Sequence, residues 1–146
     1  MPVQRDNPYP NFNFNFTVDI GLGDAIGFSE VDLPAGEIEV IEYREGNEVA
    51  ARARKLPGLT KYSNVTLKRG VTGNLELFDW WQAIRDGQLL RRTVVITLLD
   101  EQRQPVQRWV LRDAWPAKLD YSTLNARGND VVIETLELAH EGFETE

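Results

Sequence analysis

The amino-acid sequence predicts a mainly β protein, a small β-barrel or two-layer β-sandwich with one flanking α-helix. Three observations predict this class: apolar and polar residues alternate in several short stretches, turns rich in glycine and proline separate these stretches, and helical periodicity occurs once. The pattern corresponds to about eight strands. The chain of 146 residues is long enough to bury a full hydrophobic core, so we expect one domain over residues 1–146.

The N-terminal part is predicted to be an arm followed by three strands. Pro8 and Pro10 keep residues 1–10 out of a sheet interior, so this segment is expected to form the arm. Clean alternation of apolar and polar residues then predicts a half-buried first strand. The three strands are expected at residues 11–20, 25–31 and 36–43. In the third, the apolar alternation slips, which predicts a bulge near Val40.

Residues 44–61 are predicted to form a protruding loop. Turn signals at Glu45-Gly46-Asn47 and Leu56-Pro57-Gly58 enclose a short stretch of small and basic residues. Loops of about 15 residues are usually functional. A further strand is expected at residues 62–69, with Val65 and Leu67 facing inward.

One helix is expected over residues 74–86. The apolar positions at helical spacing are Leu77, Phe78, Trp81 and Ile84. Asn74 can cap the N-terminus, and Gly87 suits a left-handed stop. Trp81 is therefore assigned to the core, together with Trp109. Trp80 points about 100° away from Trp81, so it is expected to be exposed or covered by another subunit.

The C-terminal half is predicted to return to β structure. The strands are expected at residues 91–99, 106–113 and 130–141, with residues 116–129 irregular or weakly extended. The first of these strands is apolar on both faces, which predicts that the barrel interior covers one face and the helix the other.

Composition argues against an enzyme. The chain has no cysteine and a single histidine, His140, so it lacks thiolate chemistry and multi-histidine metal sites. Its serines and glycines form neither a nucleophile elbow nor a phosphate-binding loop. We therefore predict no enzymatic activity, no cofactor and no metal. A net charge of −7 argues against nonspecific nucleic-acid binding, and the sequence has no secretory signal or apolar run that would span a bilayer.

Two opposed charge blocks lie side by side in the sequence. Residues 24–48 carry eight acids and one base, and residues 49–75 carry six bases and no acid. The blocks could pair across a sheet within one chain. They could also join copies of the chain head to tail, which produces rings or filaments. The predicted subunit contacts are Glu42, Arg44, Glu45, Glu48, Arg52, Arg54, Lys55 and Lys61, with Trp80 added from the helix.

A family resemblance favours the contact between copies. Segments with the sequences VIEYREG (40–46), RKLPGLTKY (54–62), VTLKRG (65–70), LFDWW (77–81), DAWP (113–116) and IETLELAHEGF (133–143) occur in this order. In order and spacing, they resemble the tail tube proteins of contractile phages, and most closely the inner tube proteins of extracellular contractile injection systems. The resemblance extends over nearly the whole chain.

This resemblance implies a structural protein whose fold is shared with the haemolysin-coregulated ring protein of type six secretion. Hexameric rings would stack into a hollow tube inside a sheath. The partners implied are further copies of the chain, the sheath protein, baseplate and terminal cap proteins, and luminal cargo, either a toxin protein or DNA. The protein would be made in the bacterial cytoplasm, would not insert into a membrane by itself, and would be assembled into a virion or an extracellular phage-tail-like particle.

Two other interpretations stay open at this point. The first is a baseplate tube-initiator of the same fold, which would form one ring instead of a stack. The second is a monomeric carbohydrate-binding β-sandwich that uses Trp80 and Trp115 as a sugar platform.

Overall fold

The computed structural model describes residues 15–21, 26–47 and 53–146. Within these residues the chain forms nine strands and one helix. They are β1 (Phe16–Asp19), β2 (Glu30–Asp32), β3 (Gly36–Tyr43), β4 (Arg54–Tyr62), β5 (Val65–Gly70), α1 (Glu76–Arg85), β6 (Arg92–Leu99), β7 (Pro105–Tyr121), β8 (Ile133–Ala139) and β9 (Phe143–Thr145). The expected arm and the first residues of the expected first strand lie outside the described residues.

Seven of the strands form one antiparallel sheet that folds into two layers. Its order is β1-β6-β7-β8-β5-β2, with β9 paired to β7. Strand β7 is 17 residues long and belongs to both layers, because its first half pairs with β6 and β9 and its second half with β8. It passes between them at Asp113, where φ is +50°. In the described part of the chain, β1 and β2 do not pair with each other, so the architecture is a sandwich with an open seam and not a closed barrel.

The core follows from regular alternation along the strands. In β5, Val65 and Leu67 are fully buried, as predicted, and Leu136 and Leu138 of β8 lie beside them. The core also contains Val18, Ile20, Leu77, Trp80, Val94, Ile96, Leu111 and Ala114. A buried ion pair lies at the end of the same two strands, where Arg69 Nε is 3.2 Å from Glu134 Oε2.

Asn74 supplies a hydrogen bond to the first turn of α1, as the sequence predicts, although the residue directly before the helix is Leu75, whose side chain makes no capping hydrogen bond. The Asn74 side-chain oxygen accepts a hydrogen bond from the Glu76 backbone N–H at 2.9 Å. Gly87 follows the helix with φ of +91°, a conformation that glycine adopts without steric cost.

The buried face of the helix is rotated from the predicted one, and the expectation of an exposed Trp80 is wrong. Trp80 is 1% exposed, and its indole N–H donates to the Leu90 carbonyl at 2.7 Å. The Arg92 guanidinium lies 4.9 Å from the Trp80 ring centre, and burial lowers the pKa of this arginine while the nearby Glu76 carboxylate opposes that effect. Trp81 is only half-buried, with Arg85 over its ring at 5.3 Å.

Three strand boundaries differ from the prediction. Within the expected strand 25–31, β2 starts only at Glu30, although Ile26 forms an isolated bridge with Val18. The chain stays extended through residues 116–121, which belong to β7, because a register shift at Pro116 lets the strand accept a proline. The expected last strand, 130–141, is shorter in the structure, where β8 covers residues 133–139, and a turn at Gly142 leads to β9, a strand that the sequence did not predict.

Candidate subunit interface

Strands β3 and β4 form a separate two-stranded sheet, which we call the β3–β4 hairpin. Every residue of β3 is exposed, and in β4 only Gly58 is half-buried. An isolated hairpin is at best marginally stable in water, because it has no apolar layer on which to pack. The hairpin is therefore the part of the described chain that most needs a covering surface.

Strand β4 occupies residues 54–61 of the predicted protruding loop, so the loop assignment is wrong for these residues. Turn chemistry at Pro57-Gly58 suggested a loop, but both strands of a two-stranded sheet are edges, and edges accept proline. A bulge is present beside Val40, as predicted, but it lies in β4 and not in β3, where the slip in apolar alternation had indicated it. From Ile38 to Val40 the partner strand advances from Thr60 to Pro57, so β4 contains the extra residue. Gly58 fits there because a Cβ atom would lie 2.9 Å from Ile41 Cδ1.

An aromatic cluster attaches the base of the hairpin to the sandwich. The Tyr62 ring centre lies 5.9 Å from that of His140 and 5.7 Å from that of Phe143. His140 Nε2 lies 2.7 Å from the Ser63 carbonyl oxygen, and His140 Nδ1 is 3.2 Å from the Gly142 backbone nitrogen, which donates to it. These contacts assign the Nε2–H tautomer and fix the direction in which the hairpin leaves the body.

Three of the charged residues proposed as subunit contacts, Glu42, Lys55 and Lys61, lie opposite a residue of the other charge within the hairpin. Glu42 is the register partner of Lys55, and Glu37 is that of Lys61, so the two charge blocks face each other across the hairpin. Arg54 lies opposite Tyr43. The other proposed contacts divide into Arg44 and Glu45, which are exposed just after β3, and Glu48 and Arg52, which lie outside the described residues. Contact of any of these residues with another copy stays a prediction.

The apolar side chains of the hairpin were missed as interface candidates. They are exposed on both strands: Ile38, Val40, Ile41, Tyr43, Leu56, Leu59 and Tyr62. Leu59 is 72% exposed and Val40 61%. The sequence carries a signal for them, because apolar residues occupy both alternating positions of β3, a pattern that one covering layer does not require. Trp80, by contrast, has almost no surface to offer a partner or a sugar.

The described residues contain neither a candidate metal site nor a helix that could cross a membrane. Among residues 15–21, 26–47 and 53–146, no group of three or more potential ligands is placed to hold a metal ion. The helix in this part of the chain is neither long nor apolar enough to cross a bilayer.

Comparison with known families identifies the class of protein. The model of the T4-like virus tail tube protein gp19 family matches residues 12–144. The chain belongs to this family. It is therefore a structural tail tube protein and not an enzyme, and the resemblance stated from the sequence motifs is confirmed.

Solved structures agree with the family assignment. The chain is 27% identical to a chain of the anti-feeding prophage (AFP) baseplate, solved by cryo-EM with 6-fold symmetrisation, with a TM-score of 0.86 over 96% of this chain and 97% of that one. It is 28% identical to a chain of the extended PVC sheath–tube complex, an extracellular contractile injection system, with a TM-score of 0.85 over 95% and 93%.

A more distant match shows the fold alone. Hcp1 from Flavobacterium johnsoniae is 12% identical, with a TM-score of 0.58 over 89% of this chain and 93% of that one. This confirms the predicted mainly β fold with one helix, of the type found in the haemolysin-coregulated proteins. No curated protein sequence is a significant match to the chain.

Proposed function

We propose that this tail tube protein is the inner tube subunit of a contractile injection particle or phage tail, and that it forms hexameric rings which stack into a hollow tube. The observation that carries the proposal is the exposed apolar β3–β4 hairpin, which the described part of one subunit leaves uncovered. Burial of apolar surface contributes about 25 cal/mol per Å², so covering both strands with another subunit would drive assembly. Repetition around a ring and along a stack multiplies each contact.

The relatives suggest the partners. One matching structure is a sheath–tube complex and another a baseplate, both from contractile particles. We infer that the chain likewise assembles with a sheath, a baseplate and a terminal cap inside such a particle, with toxin protein or DNA as luminal cargo. Residues 1–146 would act as one tube unit, and the arm at 1–10 would add contacts between subunits.

Electron microscopy of the assembled chain tests the proposal. We expect class averages that show rings with six-fold symmetry. We also expect tubes when the chain is produced together with its sheath and baseplate proteins. A paired change of Ile38→Ser and Val40→Ser should prevent rings and tubes, because it removes apolar surface from the hairpin without touching the core. The matched control is Leu89→Ser, since Leu89 is 89% exposed but lies outside the hairpin. Assembly that survives the paired hairpin change would contradict the proposal.

A baseplate tube-initiator of the same fold is the second candidate, because the AFP baseplate chain matches as well as the PVC sheath–tube chain does. An initiator forms one ring per particle, whereas a tube subunit is repeated along the length. The ratio of this chain to the sheath protein in purified particles distinguishes the two: a ratio near one indicates the tube, and a ratio well below one indicates the initiator.

A further inference from the structure

We propose that the two faces of the β3–β4 hairpin contact two different copies of this chain, so that each hairpin lies between two neighbours. The inference rests on the proposed tube function and adds to it the arrangement of the contacts. It follows from the positions of apolar side chains on the hairpin and on the opposite end of the sandwich.

Strand alternation separates the apolar side chains of the hairpin into two faces. Side chains point alternately to opposite sides of a strand, and register partners share a side. The Ile38 face therefore holds Ile38 and Val40 on β3, with Thr60 and Pro57 opposite them. The Ile41 face holds Ile41 and Tyr43, with Leu56 and Arg54 opposite them. Both faces are exposed along β3.

A strand that is apolar on one face needs one covering layer, and a strand that is apolar on both faces needs two. Strand β5 shows the first case, since Val65 and Leu67 are fully buried while Thr66 and Lys68 are only half-buried. The hairpin shows the second case, but neither layer comes from the described residues of its own subunit. One neighbouring copy can cover one face of a two-stranded ribbon, so the second face calls for another copy.

The two apolar areas are also displaced along the hairpin. On the Ile38 face the apolar residues begin near the base, and the charged Glu42–Lys55 partners lie toward the tip. On the Ile41 face the charged Glu37–Lys61 partners lie at the base, and the apolar residues lie toward the tip. The two neighbours would therefore contact the hairpin at different distances from the body, which is the geometry of a staggered, interlocked assembly.

The surface of the chain itself favours a copy of this chain as the occupant. Each face carries an acid opposite a base, so it suits a charge-balanced apolar surface and not a strongly charged ligand. Exposed apolar side chains also lie just beyond the ends of β5, β7 and β8 that lie away from the hairpin base, where Val71, Leu124 and Val131 are 45%, 79% and 68% exposed. A hairpin at one end and an apolar surface at the other give a head-to-tail contact, which propagates.

Site-specific photocrosslinking tests the two-neighbour arrangement. The photoreactive residue p-benzoylphenylalanine would replace Val40 in one variant, Ile41 in a second and both in a third. Val40 and Ile41 are adjacent in sequence and point to opposite faces, so each is the matched control for the other. Each labelled chain would be mixed with an excess of unlabelled chain and assembled into tubes, so that one altered hairpin does not decide whether tubes form. The same variants kept dilute and unassembled give the background.

We expect crosslinked dimers from each single variant, joined through different peptides of the neighbour, and crosslinked trimers from the double variant. The two-neighbour inference would be overturned if only one position crosslinks in assembled tubes. It would also be overturned if both positions crosslink to the same peptide of the neighbour and the double variant gives dimers only. Either result leaves the tube function standing. Failure of the unlabelled chain to form tubes with its sheath and baseplate proteins would overturn both.

Discussion

Strand β8 of the sandwich and strand β3 of the hairpin have similar sequences and opposite environments. Both contain glutamates interspersed with aliphatic residues, IETLELA in β8 and GEIEVIEY in β3. In β8, Leu136 and Leu138 are fully buried, whereas in β3 every residue is exposed. The pattern determines that a strand has an apolar face, but the topology determines whether the same subunit covers it. We infer that β8 serves the stability of the subunit and β3 serves its assembly.

The largest expected effect on stability is at Trp80. We expect Trp80→Ala to lower the free energy of unfolding by about 3–5 kcal/mol, because it leaves a large cavity between α1 and the sandwich and removes the hydrogen bond to Leu90. Urea denaturation monitored by circular dichroism measures the loss. Trp81→Ala is the matched control, since Trp81 is half-buried, and its cost should be clearly smaller. Equal losses at the two positions would contradict the observed rotation of the helix.

The next effect is at the buried ion pair. Glu134→Gln leaves the Arg69 guanidinium buried without a countercharge, and we expect a loss of about 3 kcal/mol. The control is Glu141→Gln, which breaks the exposed pair with Arg91 and should cost less than about 1 kcal/mol. Thermal unfolding of both variants measures the loss of stability. If Glu134→Gln loses no more stability than Glu141→Gln, the buried pair has no structural role.

A smaller, local effect is expected at the base of the hairpin. His140→Ala removes the contact with the Ser63 carbonyl and the acceptor for the Gly142 N–H, each worth about 1 kcal/mol. Amide hydrogen exchange should become faster in β3 and β4 while β5 and β8 keep their protection. Unchanged exchange in the hairpin would show that the remaining contact between Tyr62 and Phe143 is sufficient to hold it in place.

The smallest effect on stability is expected for the charged residues of the hairpin. We expect Arg54→Glu with Lys55→Glu to change the free energy of unfolding by less than about 1 kcal/mol and yet to prevent tube growth. Exchanging the partners, Glu42→Lys with Lys55→Glu, preserves an opposite pair within the hairpin. If the charges act only across the hairpin, this exchange forms tubes normally by electron microscopy; if they act between copies, the exchange fails as the double reversal does.

Local pattern was sufficient to predict most of the sandwich. Alternation at Val65 and Leu67 and the cap at Asn74 were each determined by neighbours in sequence. Trp80 could not be distinguished from Trp81, because apolar residues occupy so much of the helix that several rotations bury a similar surface. The prolines suggested loops at positions that are strands in the structure, because their effect depends on how the strands pair. Pro57 lies on an edge and Pro116 at a register shift, and only the tertiary pairing makes such positions acceptable.

The sequence predicted which region of the chain holds the candidate interface, but it did not predict that apolar side chains form it. The charged residues from Glu42 to Lys61 indicated the region that forms the exposed hairpin, and contact of this region with another copy stays a prediction. Their register as partners within the hairpin depends on the bulge opposite Glu39, which sequence alone did not locate in β4. The exposed state of Ile38 and Ile41 depends on the absence of a third layer over the described strands, which is a property of the whole topology.

The shared strand β7 has a mechanical consequence. In a sandwich joined only by side-chain packing, a sideways load can slide one sheet over the other by breaking weak contacts one after another. Here the two layers have one unbroken backbone in common through Asp113, so such a load has to be carried by covalent bonds as well. A subunit built in this way transmits a push or twist from one layer to the other with little internal shear.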